Sequence, residues 1–265
     1  MSEKSWNSNY FLLDKPEILE FIFYPRREWT PTPQGAKDFF VPVNDGIHIS
    51  CRFYSASQTS PCLLFFHGNG EIACDYDGIA PLYNQMDVSL FVADYRGYGR
   101  SDGKPSFSGM LADADHIFHF FRSALAEMKH TGPILVMGRS LGVHSAIALA
   151  LHHAKEIRGL IVESGAARMS RLLNLFSPSL APEQVEGFEA TLLSRVCSVI
   201  TPVLILHGEY DSLIPLVEAI WFYNTVGSRV KQLVVIPGAD HNDIMMVGID
   251  KYFSAIKDFI RSVAP

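Results

Sequence analysis

Pro133-Ile134-Leu135-Val136-Met137-Gly138-Arg139-Ser140-Leu141-Gly142 joins a short apolar run to a helical pattern that continues to Leu151. Apolar strand, G-x-S-x-G and amphipathic helix in that order predict a strand–turn–helix unit with Ser140 at its apex. The glycines at 138 and 142 leave room for the turn, because a side chain at either place would strike the adjoining strand or helix. The same tightness lifts the Ser140 hydroxyl above the sheet. The first N–H groups of the following helix lack intrahelical partners and point towards any anion formed beside the serine.

On either side of this unit the chain alternates in the same way. Leu63–Phe66, Val88–Ala93, Ile134–Met137, Leu160–Val162, Val203–Leu206 and Leu233–Ile236 are unbroken apolar runs, and helical patterns such as Phe107–Lys129, Leu216–Val226 and Ile249–Ile260 separate most of them. Continuous apolar strands between helices indicate a mostly parallel sheet covered on both faces, hence an α/β fold. Two earlier runs, Asp38–Val43 and Ile47–Tyr54, flank Asn44-Asp45-Gly46, a hairpin turn signal, and give the sheet an antiparallel N-terminal edge. Ile47, Ile49, Cys51 and Phe53 alternate onto one face of the second run, while the first 38 residues read as irregular. The stretch 164–200 shows helix-like pieces around Met169–Leu175 and Pro182–Leu193 and no strand. It is expected to be a short lid above the carboxyl ends of the strands, where ligands bind in open α/β sheets, on one domain spanning 1–265.

With 265 residues, 48% hydrophobic and 19% charged, the chain can bury a sizeable core. A net charge of −6 and the lack of a Lys/Arg cluster argue against nucleic acid as a partner. No apolar run is long enough to span a membrane and no secretion signal is evident, so the expected compartment is the cytoplasm. Cys51, Cys62, Cys74 and Cys197 show no C-x-x-C spacing, and Cys51 and Cys62, in apolar strand-like runs, are expected to be buried reduced thiols, a bridge between them on neighbouring strands being the alternative. The apolar segment Ile18–Tyr24 is expected to pack against the domain rather than lie on a lipid surface.

A serine hydroxyl needs a base within hydrogen-bond reach, and the base needs a carboxylate to hold its tautomer. His241 lies in a polar loop after the strand 233–236, and Asp211 occupies the equivalent loop one strand earlier. Glu209 is a rival for Asp211 but sits too close to its strand end, and Asp240 and Asp243 are too local to His241. The oxyanion that forms on attack is expected to meet two backbone N–H groups. One is that of Leu141; the other is that of Asn69, in the glycine-bearing loop His67-Gly68-Asn69-Gly70 after strand 63–66. Leu172, Leu173, Leu175, Phe176 and Leu180 make the lid apolar, and of these Leu172, Leu175 and Phe176 are candidates for substrate contact.

These motifs carry a resemblance. The loop at 67–70, Asp94-Tyr95-Arg96-Gly97-Tyr98-Gly99-Arg100-Ser101, the elbow at 138–142 and Asp240-His241-Asn242-Asp243 are together similar to the α/β-hydrolases, and within them to the Bem46-like serine hydrolases related to the α/β-hydrolase-domain groups 13 and 17. Phe23-Tyr24-Pro25-Arg26 before Asp45-Gly46 also looks like that family's opening. The resemblance implies a hydrolase of esters, thioesters or amides with no cofactor and no metal, acting on a small molecule through Ser140, Asp211 and His241. Val143 departs from the pattern where a further glycine often follows the elbow, and the N-terminal stretch shows neither the membrane helix nor the cysteine-rich tail of some relatives, so a lipid-membrane role is not expected. A ligand receptor, a lyase or a perhydrolase could use the same scaffold, although no lesion in the motifs points to a receptor.

Other residues invite functional readings that the sequence does not favour. Asp94–Gly99 and His67 are expected to be scaffold beside the elbow. Asp113, Asp115, His116 and His119 share one helix at spacings that divide them between faces, which indicates a solvated helix rather than a metal site. His144 is expected to be a core histidine, and His152 and His153 to meet the last carbonyls of the elbow helix.

Overall fold

The computed structural model describes residues 10–165, 167–169, 173 and 180–264. Eight strands form one sheet in the order β1-β2-β4-β3-β5-β6-β7-β8. They are β1 (Ala36–Pro42), β2 (His48–Tyr54), β3 (Cys62–Phe66), β4 (Ser89–Ala93), β5 (Ile134–Arg139), β6 (Ile157–Glu163), β7 (Val203–Gly208) and β8 (Lys231–Ile236). β1 and β2 pair antiparallel around the expected hairpin, β2 pairs antiparallel with β4, and the pairs from β4 across to β8 are parallel.

The helices are α1 (Pro16–Ile22), α2 (Ala80–Gln85), α3 (Phe107–Glu127), α4 (Val143–His152), α5 (Pro182–Ser198), α6 (Leu216–Thr225), α7 (Ile244–Val247) and α8 (Ile249–Val263). Strand side chains alternate between two apolar layers. Leu64, Phe66, Val136, Leu160, Val162, Val203 and Ile205 face the layer that takes α3 to α6. Leu63, Phe65, Leu135, Met137, Ile161, Leu204 and Leu206 face the layer that takes α2, α7 and α8. Each such side chain, fully withdrawn from water, contributes roughly 1.5–3 kcal/mol.

Three local expectations are corrected. The segment 1–38 is not wholly irregular: Pro16 opens α1, where a missing N–H costs nothing, and Ile18 and Ile22 bury one helical face. The core therefore claims this amphipathic segment, although Phe21 and Tyr24 stay exposed. β2 is buried on both faces from Ile49 to Tyr54 rather than on one. Its second face carries Ser50 and Arg52, which are satisfied internally: Arg52 pairs with Asp38 at 2.7 Å and Asp77 at 3.0 Å, and Ser50 Oγ donates to Asp94 at 2.5 Å. Finally, β5 does not stop at Met137. Gly138 and Arg139 continue the ladder against Val162 and Glu163.

Cys51, Cys62 and Cys74 are buried and free, and Cys197 is exposed and free. Burial pushes the Cys51 thiol well up and that of Cys62 up to about 12. No helix among the described residues is long and apolar enough to cross a membrane. Leu172, Leu175 and Phe176 lie outside the described residues, and of the stretch 164–200 it is α5 that is best described. Val185, Phe188, Leu192 and Val196 form its buried face, and Phe188 meets Tyr10 edge to face at 5.6 Å.

Candidate active site

The elbow is built as the two glycines require. A side chain at Gly138 would enter the backbone of Gly142, and one at Gly142 would enter the carbonyls of Phe66 and His67. The turn is thus pressed against the end of β3, where the 67–70 loop begins. Ser140 takes a left-handed φ of +49°, a costly conformation for a non-glycine residue that the flanking strand and helix impose. A short 3₁₀ turn, Ser140–Gly142, leads into α4, which puts Leu141 in that turn, just ahead of the helix N-cap at Gly142.

The structure brings Ser140, His241 and Asp211 together from three loops at the carboxyl end of the sheet. His241 Nε2 lies 3.1 Å from Ser140 Oγ, and its Nδ1 lies 2.9 and 3.1 Å from the two Asp211 oxygens. Asp211 also accepts from the backbone N–H groups of Leu213 at 3.1 Å and Ile214 at 2.7 Å, which hold the carboxylate in its turn. His241 and Asp211 are buried, while Ser140 is partly open. The competing acids are occupied elsewhere: Glu209 accepts from Gly238 N–H, Asp240 from Ser212 and from the His241 N–H, and Asp243 from Asp240 N–H.

Asn69 is fastened by its side chain, whose oxygen accepts from the Tyr24 N–H at 2.7 Å and the Tyr98 hydroxyl at 2.8 Å. His67 Nδ1 lies 2.8 Å from Gly68 O and its Nε2 3.2 Å from Asp94 Oδ1, both of them acceptors for a ring N–H, and Asp94 also accepts from Ala73 N–H at 2.7 Å. These buried groups brace the loop from below.

Residues 57–198, more than half of the chain, match the family described as serine aminopeptidase, S33. The chain belongs to this family of α/β-hydrolases. It is 28% identical over 220 residues to protein bem46 of Schizosaccharomyces pombe, covering 77% of this chain and 68% of that one. It is 30% identical over 225 residues to α/β-hydrolase domain-containing protein 17C of Xenopus laevis, covering 83% and 68% respectively. The Pyrococcus furiosus esterase Pf2001 shares the fold with a TM-score of 0.71 at 19% identity, over 90% of this chain and 98% of that one.

Sequence reasoning missed what supports the elbow of this hydrolase from behind. Arg139, the variable residue of G-x-S-x-G, is mostly buried and spans the carboxyl ends of the strands. Its Nε donates to Glu163 at 3.2 Å, Nη1 pairs with Glu71, and Nη2 donates to the His241 carbonyl at 3.0 Å and Asn242 Oδ1 at 3.1 Å. Glu71 accepts from Gly68 N–H at 2.7 Å, and Tyr252 donates to Glu163 at 2.6 Å. One guanidinium thereby connects the elbow, the 67–70 loop and the histidine loop. Burial pushes the Glu163 carboxyl up, and Arg139 draws it only partly back. The available signal was a charge directly after the apolar runs of β5 and β6, at positions the ladder puts opposite each other.

A cavity of about 590 Å³ runs along α4 and α5, with His144, Ile147 and Ala148 on one wall and Leu192, Val196 and Tyr10 on the other. Ser140 does not line it, but His144 lies one helical turn further along α4. Burial, reinforced by the charge of Arg195, pushes the His144 imidazole down to about 4. Its folded value lies below its unfolded value of about 6.5, so on acidification the unfolded chain takes up the proton first. Stability present above pH ~6.5 should therefore be lost as the pH falls towards 4, by up to about 3 kcal/mol from this residue. Urea unfolding of His144→Leu at several pH values should show a flatter dependence than wild type in this window; parallel curves would contradict it.

Other expectations divide. Asp113 and Asp115 are not merely solvated: Asp113 is buried and bonded by Arg96 at 2.7 and 2.8 Å, because the 94–99 turn packs on α3. His153 meets Asp115 at 2.6 Å and Glu156 at 3.3 Å rather than the last carbonyls of α4.

Proposed function

We propose that this hydrolase cleaves esters, and by the same chemistry thioesters, of small to medium apolar acyl groups through an acyl-enzyme on Ser140. The reading is carried by one observation, the bridging of Ser140 Oγ and the Asp211 carboxylate by the two nitrogens of His241 at 3.1 and 2.9 Å. Ser140 Oγ attacks the acyl carbon and its proton passes to His241 Nε2, while Asp211 holds Nδ1–H and stabilises the imidazolium. The negative oxygen is received by the N–H groups of Asn69 and Leu141. The proton then goes to the leaving oxygen or sulfur, and water activated by His241 frees the acid. No step calls for a metal or cofactor.

The segment 164–200 would serve as the lid, with Leu172, Leu175 and Phe176 on the substrate. The mostly apolar α4–α5 cavity, which Arg195 also lines, would receive an acyl chain that leaves Ser140 along α4. Replacing Ala148 with phenylalanine should fill that path. Turnover of p-nitrophenyl dodecanoate is expected to fall about tenfold or more while acetate turnover changes little, since a pocket group contributes roughly 1–3 kcal/mol to discrimination. An equal fall for both esters would place the acyl chain elsewhere.

The direct test is fluorophosphonate labelling, with a p-nitrophenyl ester series run beside aminoacyl p-nitroanilides. Covalent labelling at Ser140 and faster ester than anilide cleavage are expected. Anilide cleavage that dominates would make the protein a peptidase on the same residues. Absence of both labelling and turnover would overturn the reading.

A further inference from the structure

Some 20 Å along the elbow helix from Ser140, at about 1.5 Å per residue, α4 ends against the middle of α3. There Asp115 and His119, one turn apart on α3, meet His153 at the cap of α4, and one ligand atom from each lies within 4.8 Å of the others. We propose that these three residues form a binding site for a borderline transition-metal ion, Zn²⁺ foremost, which ties the end of the elbow helix to α3.

The atoms are spaced as such an ion requires. Ligands about 2.0–2.1 Å from tetrahedral zinc stand roughly 3.3 Å apart. His119 Nε2 lies 3.4 Å from Asp115 Oδ2 and His153 faces the other oxygen, so the carboxylate turns to present one oxygen to both imidazoles, from ligand atoms that stand within 4.8 Å of one another. His153 Nε2 lies 2.6 Å from Asp115 Oδ1, a hydrogen bond that the ion replaces by displacing the proton and opening the pair by less than about 1 Å. The other nitrogen of His153, Nδ1, faces Glu156 Oε1 at 3.3 Å, the carboxylate-behind-histidine arrangement that orients metal-bound imidazoles. Glu156 is held in turn by Arg122 at 2.5 Å. His153 is largely buried and its ring packs on Phe118 at 4.3 Å, so it stands pre-positioned. His119 is 56% exposed, which leaves the fourth position to water.

Two imidazoles and one carboxylate select zinc, copper or nickel over magnesium or calcium, which prefer all-oxygen shells. The negative end of the α4 dipole adds to the attraction for a cation. At this distance the ion cannot touch the reacting atoms at Ser140, and its effect is to clamp two helices.

The untagged full-length chain, stripped with chelator, is titrated with ZnCl₂ by calorimetry and with Co²⁺ by visible absorption. One Zn²⁺ per chain with a Kd of about 10 µM or tighter is expected, together with the d–d bands of low-coordinate Co²⁺. At free zinc 100 times the Kd, the folded-to-unfolded ratio rises about 100-fold, while ester turnover is unchanged. His119→Ala, at an exposed position that leaves the core intact, should weaken binding about 100-fold, and Glu156→Gln about tenfold. Absence of saturable binding below about 1 mM, or wild-type affinity in both His119→Ala and His153→Gln, overturns the site.

Discussion

Replacing Ser140 with alanine is expected to lower kcat towards p-nitrophenyl esters by up to about a millionfold and to abolish fluorophosphonate labelling. The size follows from the part the hydroxyl would play. Without Oγ, His241 has no nucleophile to deprotonate, and the three groups lose their joint function rather than a third of it. What remains is the pull of the Asn69 and Leu141 N–H groups on a carbonyl attacked by water, worth roughly 10³–10⁴ over the uncatalysed reaction. Asp211→Asn should cost about 10⁴, because an amide in contact with His241 Nδ1 favours the wrong imidazole tautomer. Since Ser140 sits at a φ of +49° by virtue of its neighbours, alanine there should leave the fold and melting temperature nearly unchanged. Labelling that persists in Ser140→Ala, or ester turnover within tenfold of wild type, would sink the proposed mechanism.

The second large effect is expected from Arg139→Met. Glu163 is only 1% exposed, and removing its cationic partner leaves a carboxylate desolvated and uncompensated. Breaking a buried pair from one side typically costs about 3–5 kcal/mol, far above the value of a surface ion pair. Methionine keeps much of the volume, so the loss would be electrostatic and not a cavity. The sign with pH follows from Glu163, whose carboxyl burial already pushes up. A carboxyl raised in the folded state binds its proton more tightly there than in the unfolded chain, so the variant should lose stability as the pH rises above the ordinary carboxylate range. Adding Glu163→Gln should recover part of the loss and flatten this dependence. Arg139→Lys should restore the charge but not the fork of contacts to Glu163, Glu71 and His241 O. Activity provides an independent reading. The His241 loop and Gly68 both depend on this guanidinium, so kcat should fall in Arg139→Lys with KM little altered. Unfolding of Arg139→Met within about 1 kcal/mol of wild type would show that the network is not under this tension.

The α/β fold was legible in the chain because period and composition are local properties. Six apolar runs separated by helical patterns leave few arrangements other than a parallel sheet covered on both faces, and Asn44-Asp45-Gly46 marks the antiparallel edge. The elbow was legible for the same reason, since its two glycines are demanded by contacts within one strand–turn–helix unit. The proposed triad of Ser140, Asp211 and His241 could be named from places after β5, β7 and β8, once the order of strands was assumed. Tertiary structure alone decided the rest. Arg139 pairs with Glu163 because β5 and β6 are in register, and with Glu71 because a loop 68 residues away folds back beneath it. Ser50 and Arg52 are buried because Asp94 and Asp77 arrive from elsewhere to satisfy them. His153 stands beside Asp115 and His119 only because α4 ends against α3. Apolar periodicity is written along the chain, whereas the partner of a buried charge depends on which distant segment the packed sheet brings to it.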